Sequence, residues 1–272
     1  MKIFDRLLFK AINLEHKCSP AFWESFARRE HYFNGSIALE EAKAAAYKRF
    51  LGKISLGNGV TLKTDLYVEA KNKKDTFLMT TGIKQCLGMD ISLETVKQAR
   101  SNLCVSMPAM QFVVADVRQL PFKEASFQAV ISDSTLDHMP QLGLERSLKE
   151  FRRVLSVKGR CIVALNNMLN PVSLYDSTVK NMCLKEYFLS FCYRPGYVLS
   201  VLRKSGFNPQ RWEGIIAMDC LGLVLARLSR RLRVFEPLAR MWIALLERLR
   251  QVSFLRNFIS LQFIVFSEKN IK

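Results

Sequence analysis

Several kinds of site are excluded by what this chain lacks. It has three histidines in 272 residues, His16, His31 and His138, and they do not cluster. Its seven cysteines, Cys18, Cys86, Cys104, Cys161, Cys183, Cys192 and Cys220, form an odd, scattered set with no pair at metal-ligand spacing. No structural metal is expected, and the thiols fit a reducing, cytoplasmic compartment. No apolar run approaches the roughly 18 residues of a membrane span. The opening MKIFDRLLFKAINLEHK interrupts its apolar residues with charges and lacks a signal-peptide core. Acids are scarce: 24 Asp and Glu stand against 41 Lys and Arg, a formal charge of +17. That excess points to an anionic partner: nucleic acid, an anionic membrane or an acidic substrate. Glycine is missing from one turn where it would matter most.

What is present is an ordinary globular composition, 49% apolar. The chain is long enough for one α/β domain with additions. The organising stretch runs from Gly59 to Asp90. A short strand signal follows Asn58-Gly59, a helical segment over 66–73 follows Asp65 as its N-cap, and Gln85 to Met89 is a second strand ending in Asp90. Strand, helix, strand and acid make half of a nucleotide-binding unit. A carboxylate at the second strand's tip can accept both hydroxyls of a ribose. Asp90 lies about 25 residues beyond Asp65, near the usual spacing of about 20. The first turn carries Lys63, Thr64, Asp65, Leu66 and Tyr67 instead of glycines. A pyrophosphate needs close backbone approach, so a dinucleotide is not expected there.

The pattern continues through helix LETVKQAR, strand MQFVVAD to Asp116, Leu120-Pro121-Phe122, strand FQAVISD to Asp133, then LDHMP, helix ERSLKEFRRVL and strand RCIVAL. Together GMDIS, VVADVRQLPF and FQAVISDSTLDH resemble the class I S-adenosylmethionine-dependent methyltransferases, in their small-molecule, ubiquinone- and menaquinone-methylating branch. The likeness covers roughly residues 59–167. It departs at the first motif, where LKTDLYVEA replaces the usual GxGxG.

The resemblance implies a doubly wound, mostly parallel, Rossmann-like sheet of seven strands, with ligands outside the carboxyl ends of the strands. It implies S-adenosyl-L-methionine as cofactor. Asp90 would hold the ribose hydroxyls and Ile91 would pack on adenine. Asp116 would accept from the adenine amine, and the Val117 amide would reach a ring nitrogen. Ser132 and Asp133 would lie under the methionine portion. Thr64 or Asp65 would take the ammonium or carboxylate end. His138 is the candidate general base, with Asp137 to orient it.

The flanks suggest additions. Residues 1–56 read as a helical cap, with a helix starting at Ser19-Pro20 and another over IALEEAKAAAYKRFL. Residues 57–213 read as the α/β core, 214–259 as a basic helical insertion and 260–272 as a closing strand. Tyr175, Tyr187, Phe188, Phe191, Tyr193 and Tyr197 suit an apolar or ring-shaped acceptor, or a helix core. From Arg227 to Arg256 eight arginines stand against Glu236 and Glu247, interleaved with leucines and Trp242 at helical spacing. That pattern fits a peripheral element on an anionic inner-membrane surface, or a packed hairpin with a solvated basic face. The basic residues back an apolar helix and show no aromatic-basic stacking motif, which argues against nucleic acid. Two functions remain open: methyl transfer to a small or lipid-like acceptor, and a non-catalytic module of the same fold that docks a partner or membrane.

Overall fold

The structure, a computed structural model, describes residues 17–28, 37–53, 59–71, 83, 85–182 and 189–270. The N-terminal sixteen residues, the break at Asn34 to Ser36 and the pair Tyr187-Phe188 lie outside them.

Seven strands form one sheet: β1 (Thr61–Lys63), β2 (Cys86–Asp90), β3 (Gln111–Val114), β4 (Phe127–Asp133), β5 (Leu155–Asn166), β6 (Phe207–Ala217) and β7 (Ser260–Lys269). Their order is β3-β2-β1-β4-β5-β7-β6. Pairing is parallel from β3 to β5, and β7 runs antiparallel to both β5 and β6. The order reverses between β1 and β4, which opens a crevice outside their carboxyl ends. In β4 the run Ala129-Val130-Ile131 is fully buried. Such continuous apolar strands belong to parallel sheets covered on both faces.

The helices follow from local chemistry. Helix α1 (Pro20–Ala27) starts at Ser19, whose hydroxyl accepts from Phe22 N, with Pro20 at the first helical position. Helix α2 (Ile37–Leu51) buries Ala46, Tyr47, Phe50 and Leu51. Helix α3 is short, Tyr67–Lys71, and Asp65 Oδ1 accepts from Tyr67 N at 2.9 Å. Helix α4 (Leu93–Leu103) starts at Ser92, whose Oγ accepts from Thr95 N. Helix α5 (Gln141–Val154) buries Leu144, Leu148, Phe151 and Val154 at helical spacing. Helices α6 (Pro171–Met182) and α7 (Pro195–Lys204) follow β5.

Two apolar layers result, one per face of the sheet. One holds Leu144, Leu148, Phe151, Val201 and Leu202 over Val130 and Val163. The other holds Tyr47, Phe50, Leu66, Val96 and Leu103 over Ile131, Ile162 and Ile264. Leu66 dives into the second layer above Gly88, where a Cβ would come within 2.6 Å of its Cδ2. The missing side chain at Gly88 therefore lets the turn after β1 close down on β2.

Strand β6 continues to Ala217, three residues past the expected start of the insertion, because Gly214 to Ala217 stay paired with β7. Helices α8 (Cys220–Arg231), α9 (Glu236–Leu249) and α10 (Ser253–Ile259) then fill the gap before β7. Among the described residues no helix is long and apolar enough to cross a membrane.

Candidate cofactor site

The carboxyl ends of β1, β2 and β4 bring Thr64, Asp65, Asp90, Ile91, Ser132 and Asp133 to one edge. Thr64 Oγ1 lies 3.1 Å from Thr135 Oγ1, tying the first turn to the segment after β4. Asp90 Oδ2 accepts from Leu66 N at 3.1 Å and Oδ1 from Ser92 N at 3.0 Å. Each oxygen thus accepts one backbone N–H and keeps a second acceptor position. Burial pushes the Asp90 carboxyl up to about 7, against the pull of those two amides.

The first turn is an ionic cluster. Lys63, at the tip of β1, is fully buried. Its Nζ meets Glu69 Oε2 at 2.9 Å and Asp65 Oδ2 at 3.3 Å, and it donates to the Asp65 carbonyl. Burial opposes its charge, but Asp65 and Glu69 prevail and hold it protonated. Glu69 Oε1 is buried with no hydrogen-bond partner among the described residues. The turn therefore neutralises itself with side chains instead of offering glycine backbone amides.

Asp133, at the end of β4, accepts from Tyr47 Oη at 2.6 Å and pairs with Lys43 Nζ at 3.0 Å. Burial works against its charge, yet Lys43, Tyr47 and Lys63 hold its carboxyl below the usual range. The Tyr47 phenol is pushed well up by burial and by Asp133. Next in the chain, Ser134 has φ of 57° and takes a hydrogen bond from Gln262 Nε2 at 2.6 Å. Ser132 Oγ is buried with no hydrogen-bond partner among the described residues.

Helix α1 lies across this edge. Glu24 Oε2 accepts from Ser92 Oγ at 2.9 Å and Glu94 N at 3.0 Å, so it caps α4 beside Asp90. The Glu94 amide lowers its pKa, and a carboxylate suits a helix N-terminus. Trp23 sits 5.2 Å from the His138 ring. His138 Nδ1 is 2.8 Å from the Leu189 carbonyl. A carbonyl partner makes Nδ1 the protonated nitrogen and puts the basic lone pair on Nε2. The ring is oriented by that carbonyl instead of Asp137. Burial raises the Asp137 carboxyl, and its Oδ1 has no hydrogen-bond partner among the described residues.

Asp116, expected to accept from adenine, is gripped by Arg118 in this structure. Arg118 engages both its oxygens, through N at 2.8 Å and Nε at 2.9 Å on Oδ1, and Nη2 at 2.6 Å on Oδ2. The same Arg118 Nη2 donates to the Cys18 carbonyl, which ties α1 to the end of β3. Arginine two residues after aspartate favours that bidentate grip. The Val117 position stays beside it, buried.

Residues 73–163, about a third of the chain, match a family described as a methyltransferase domain. The sheet order and solved structures agree with it. A chain of the complex between the Haloferax volcanii Trm112 methyltransferase activator and a candidate methyltransferase superposes with a TM-score of 0.60 at 14% identity, over 91% of this chain and 97% of that one. The fold is that of the class I methyltransferases. Geranyl diphosphate C-methyltransferase from Streptomyces coelicolor, solved with Mg2+, geranyl diphosphate and S-adenosyl-L-homocysteine, gives a TM-score of 0.55 at 12% identity, over 85% and 78%. The human eEF1A lysine and N-terminal methyltransferase is 32% identical over 85 residues, 31% of this chain and 12% of that protein. The aligned segment is thus about an eighth of that curated relative's length.

Sequence reading passed over Lys43, Tyr47 and Glu24. Lys43 and Tyr47 are four residues apart, hence on one helical face, and that spacing was their only signal. Glu24 carried none.

The raised Asp90 carboxyl predicts a pH dependence. Were Asp90 to hold a ribose diol, the diol would donate to the ionised form, and binding of an adenosine cofactor would be linked to loss of this proton. Affinity should weaken about tenfold from about pH 8 to about pH 6, and Asp90→Asn should flatten the profile in the same titrations.

Proposed function

We propose that the chain transfers a methyl group from S-adenosylmethionine to a small or lipid-like acceptor. The observation that carries this reading is Asp90, a half-buried carboxylate at the tip of β2 with one acceptor position left on each oxygen. A vicinal diol fits that pair of positions. An adenosine cofactor fits the remaining residues too, apart from Asp116: Ile91 offers an apolar face, and the Val117 amide a donor for a ring nitrogen. The bound cofactor supplies an electrophilic methyl on a sulfonium. Asp133, held ionised by Lys43 and Tyr47, gives a cationic end a negative neighbour. Ser132, Thr64 and Asp65 complete the methionine side. His138 Nε2 takes the proton that a hydroxyl or amine acceptor loses, and positioning supplies the rest of the rate. The reading puts the chain in the cytoplasm, with a lipid-borne acceptor reached at the inner membrane surface.

A second reading is favoured by the ionic first turn: a non-catalytic module that keeps the fold and docks a partner. Calorimetry with S-adenosylmethionine separates the two. Saturable heat with a Kd on the order of micromolar supports the enzyme, and none at about millimolar ligand supports the module.

A further inference from the structure

Helix α9 carries two adjoining apolar stripes, one buried and one exposed. Ala239, Ile243 and Leu246 point inward and are buried, with Ile243 packed against Val172 and Met218. Leu238, Met241, Leu245 and Leu249 form a second stripe at spacings of three and four, and they are 46%, 64%, 43% and 39% exposed. Leu221 and Val224 of the adjacent α8 are about half exposed as well. Single exposed apolar residues are ordinary, but a stripe this long is not.

The exposed charges around it are mostly positive. Arg231, Arg233, Arg240 and Arg248 are exposed on or between these helices. Glu236 pairs with Arg240, and Glu247 is turned inward, accepting from Ala217 N and Arg250. Arg250 is itself buried and donates to the Gly214 carbonyl, so it braces the hairpin against β6. Trp242 donates Nε1 to Asp219 Oδ1 at 2.9 Å, which ties it to the α8 N-terminus. The side chains of Arg227 and Arg230 lie outside the described ones.

We propose that this outer face of α8 and α9 docks the chain on an anionic lipid bilayer, with the leucine and methionine stripe in the interface and Arg231, Arg233 and Arg248 on headgroups. A basic-rimmed apolar helix lying in the membrane plane has this composition. A second copy is a poorer occupant, because a two-fold contact would set arginines against arginines with Glu236 alone to offset them. The hairpin leaves from the end of β6 and returns at the start of β7, at the same sheet edge as Asp90 and Asp133. Helix α2, which holds Asp133 through Lys43 and Tyr47, is linked to α9 by Arg49 and Glu247 at 3.6 Å. Docking would therefore bring the mouth of the site toward the lipid. This inference rests on the lipid-like acceptor proposed above.

Cosedimentation of the full chain with phosphatidylcholine vesicles, with and without phosphatidylglycerol, tests it. Binding is expected on the anionic vesicles, falling steeply with salt. Arg231→Gln, Arg233→Gln and Arg248→Gln together should weaken it on the order of a hundredfold. Met241→Gln with Leu245→Gln should also weaken it, while leaving circular dichroism unchanged because both side chains face outward. Equal binding to both vesicle types, no binding at low salt, or undiminished binding by the triple variant would overturn the proposal. So would a dimer in sedimentation that Leu245→Gln dissociates. Calorimetry with S-adenosylmethionine on the same protein keeps the failures apart. Vesicle binding without cofactor binding sinks the enzyme and spares the docking face, and the converse sinks only the docking face.

Discussion

Lys63→Met is expected to destabilise the fold by about 3–5 kcal/mol, with a fall in Tm on the order of 10 °C. Lys63 is fully buried beside Glu69 and Asp65. Removing the cation strands the Glu69 carboxylate in the core, where burial already pushes its pKa up. The expected cost is that of an uncompensated charge and not the net worth of the pair. Replacing both partners, Lys63→Met with Glu69→Leu, should recover most of the loss, because two apolar side chains of similar volume remove both charges together. Thermal melts of the wild type, the single and the double variant check this. A single variant as stable as the wild type would mean that the pair is not buried as described.

Asp90→Ala is expected to lower affinity for S-adenosylmethionine at least about tenfold, because each hydrogen bond to a charged group is worth about 1.5–3 kcal/mol. Its effect on stability should have the opposite character. The folded carboxyl is raised from its ordinary value to about 7 by burial, so the folded state binds the proton more tightly than the unfolded one. Ionisation of Asp90 then weakens the fold as pH rises through the window from about 4 to about 7. Above that window the native chain holds a desolvated negative charge that does not stabilise it. Asp90→Asn should accordingly be close to neutral in a melt at about pH 8, while calorimetry reports weaker cofactor binding. Unchanged affinity would remove Asp90 from the site.

Much of the architecture was legible because it is local. The alternation of apolar strands such as FQAVISD with capped amphipathic helices implies a parallel sheet, and Ser19-Pro20, Ser92 and Pro237 start helices by nearest-neighbour chemistry. The acids that end β2 and β4 follow from the same pattern, since strand ends in this topology meet at one edge.

The sequence alone therefore determined the sheet, the helix starts and the edge at which Asp90 and Asp133 meet. Their side-chain partners were decided only by tertiary contact. Glu24 reaches Ser92 and Glu94 across some 70 residues of chain, and Tyr47 reaches Asp133 across 86. Arg118 grips both oxygens of Asp116, a contact that the strand-end pattern alone did not announce. The arginine-rich hairpin read as one uniform amphipathic pattern, yet its residues divide between two faces: Arg250, Trp242 and Leu246 turn inward, while Met241, Leu245 and Arg248 stay in solvent. Periodicity gives the angle between side chains on one helix, but the face that meets the rest of the protein is set by where the sheet edge and the neighbouring helices stand.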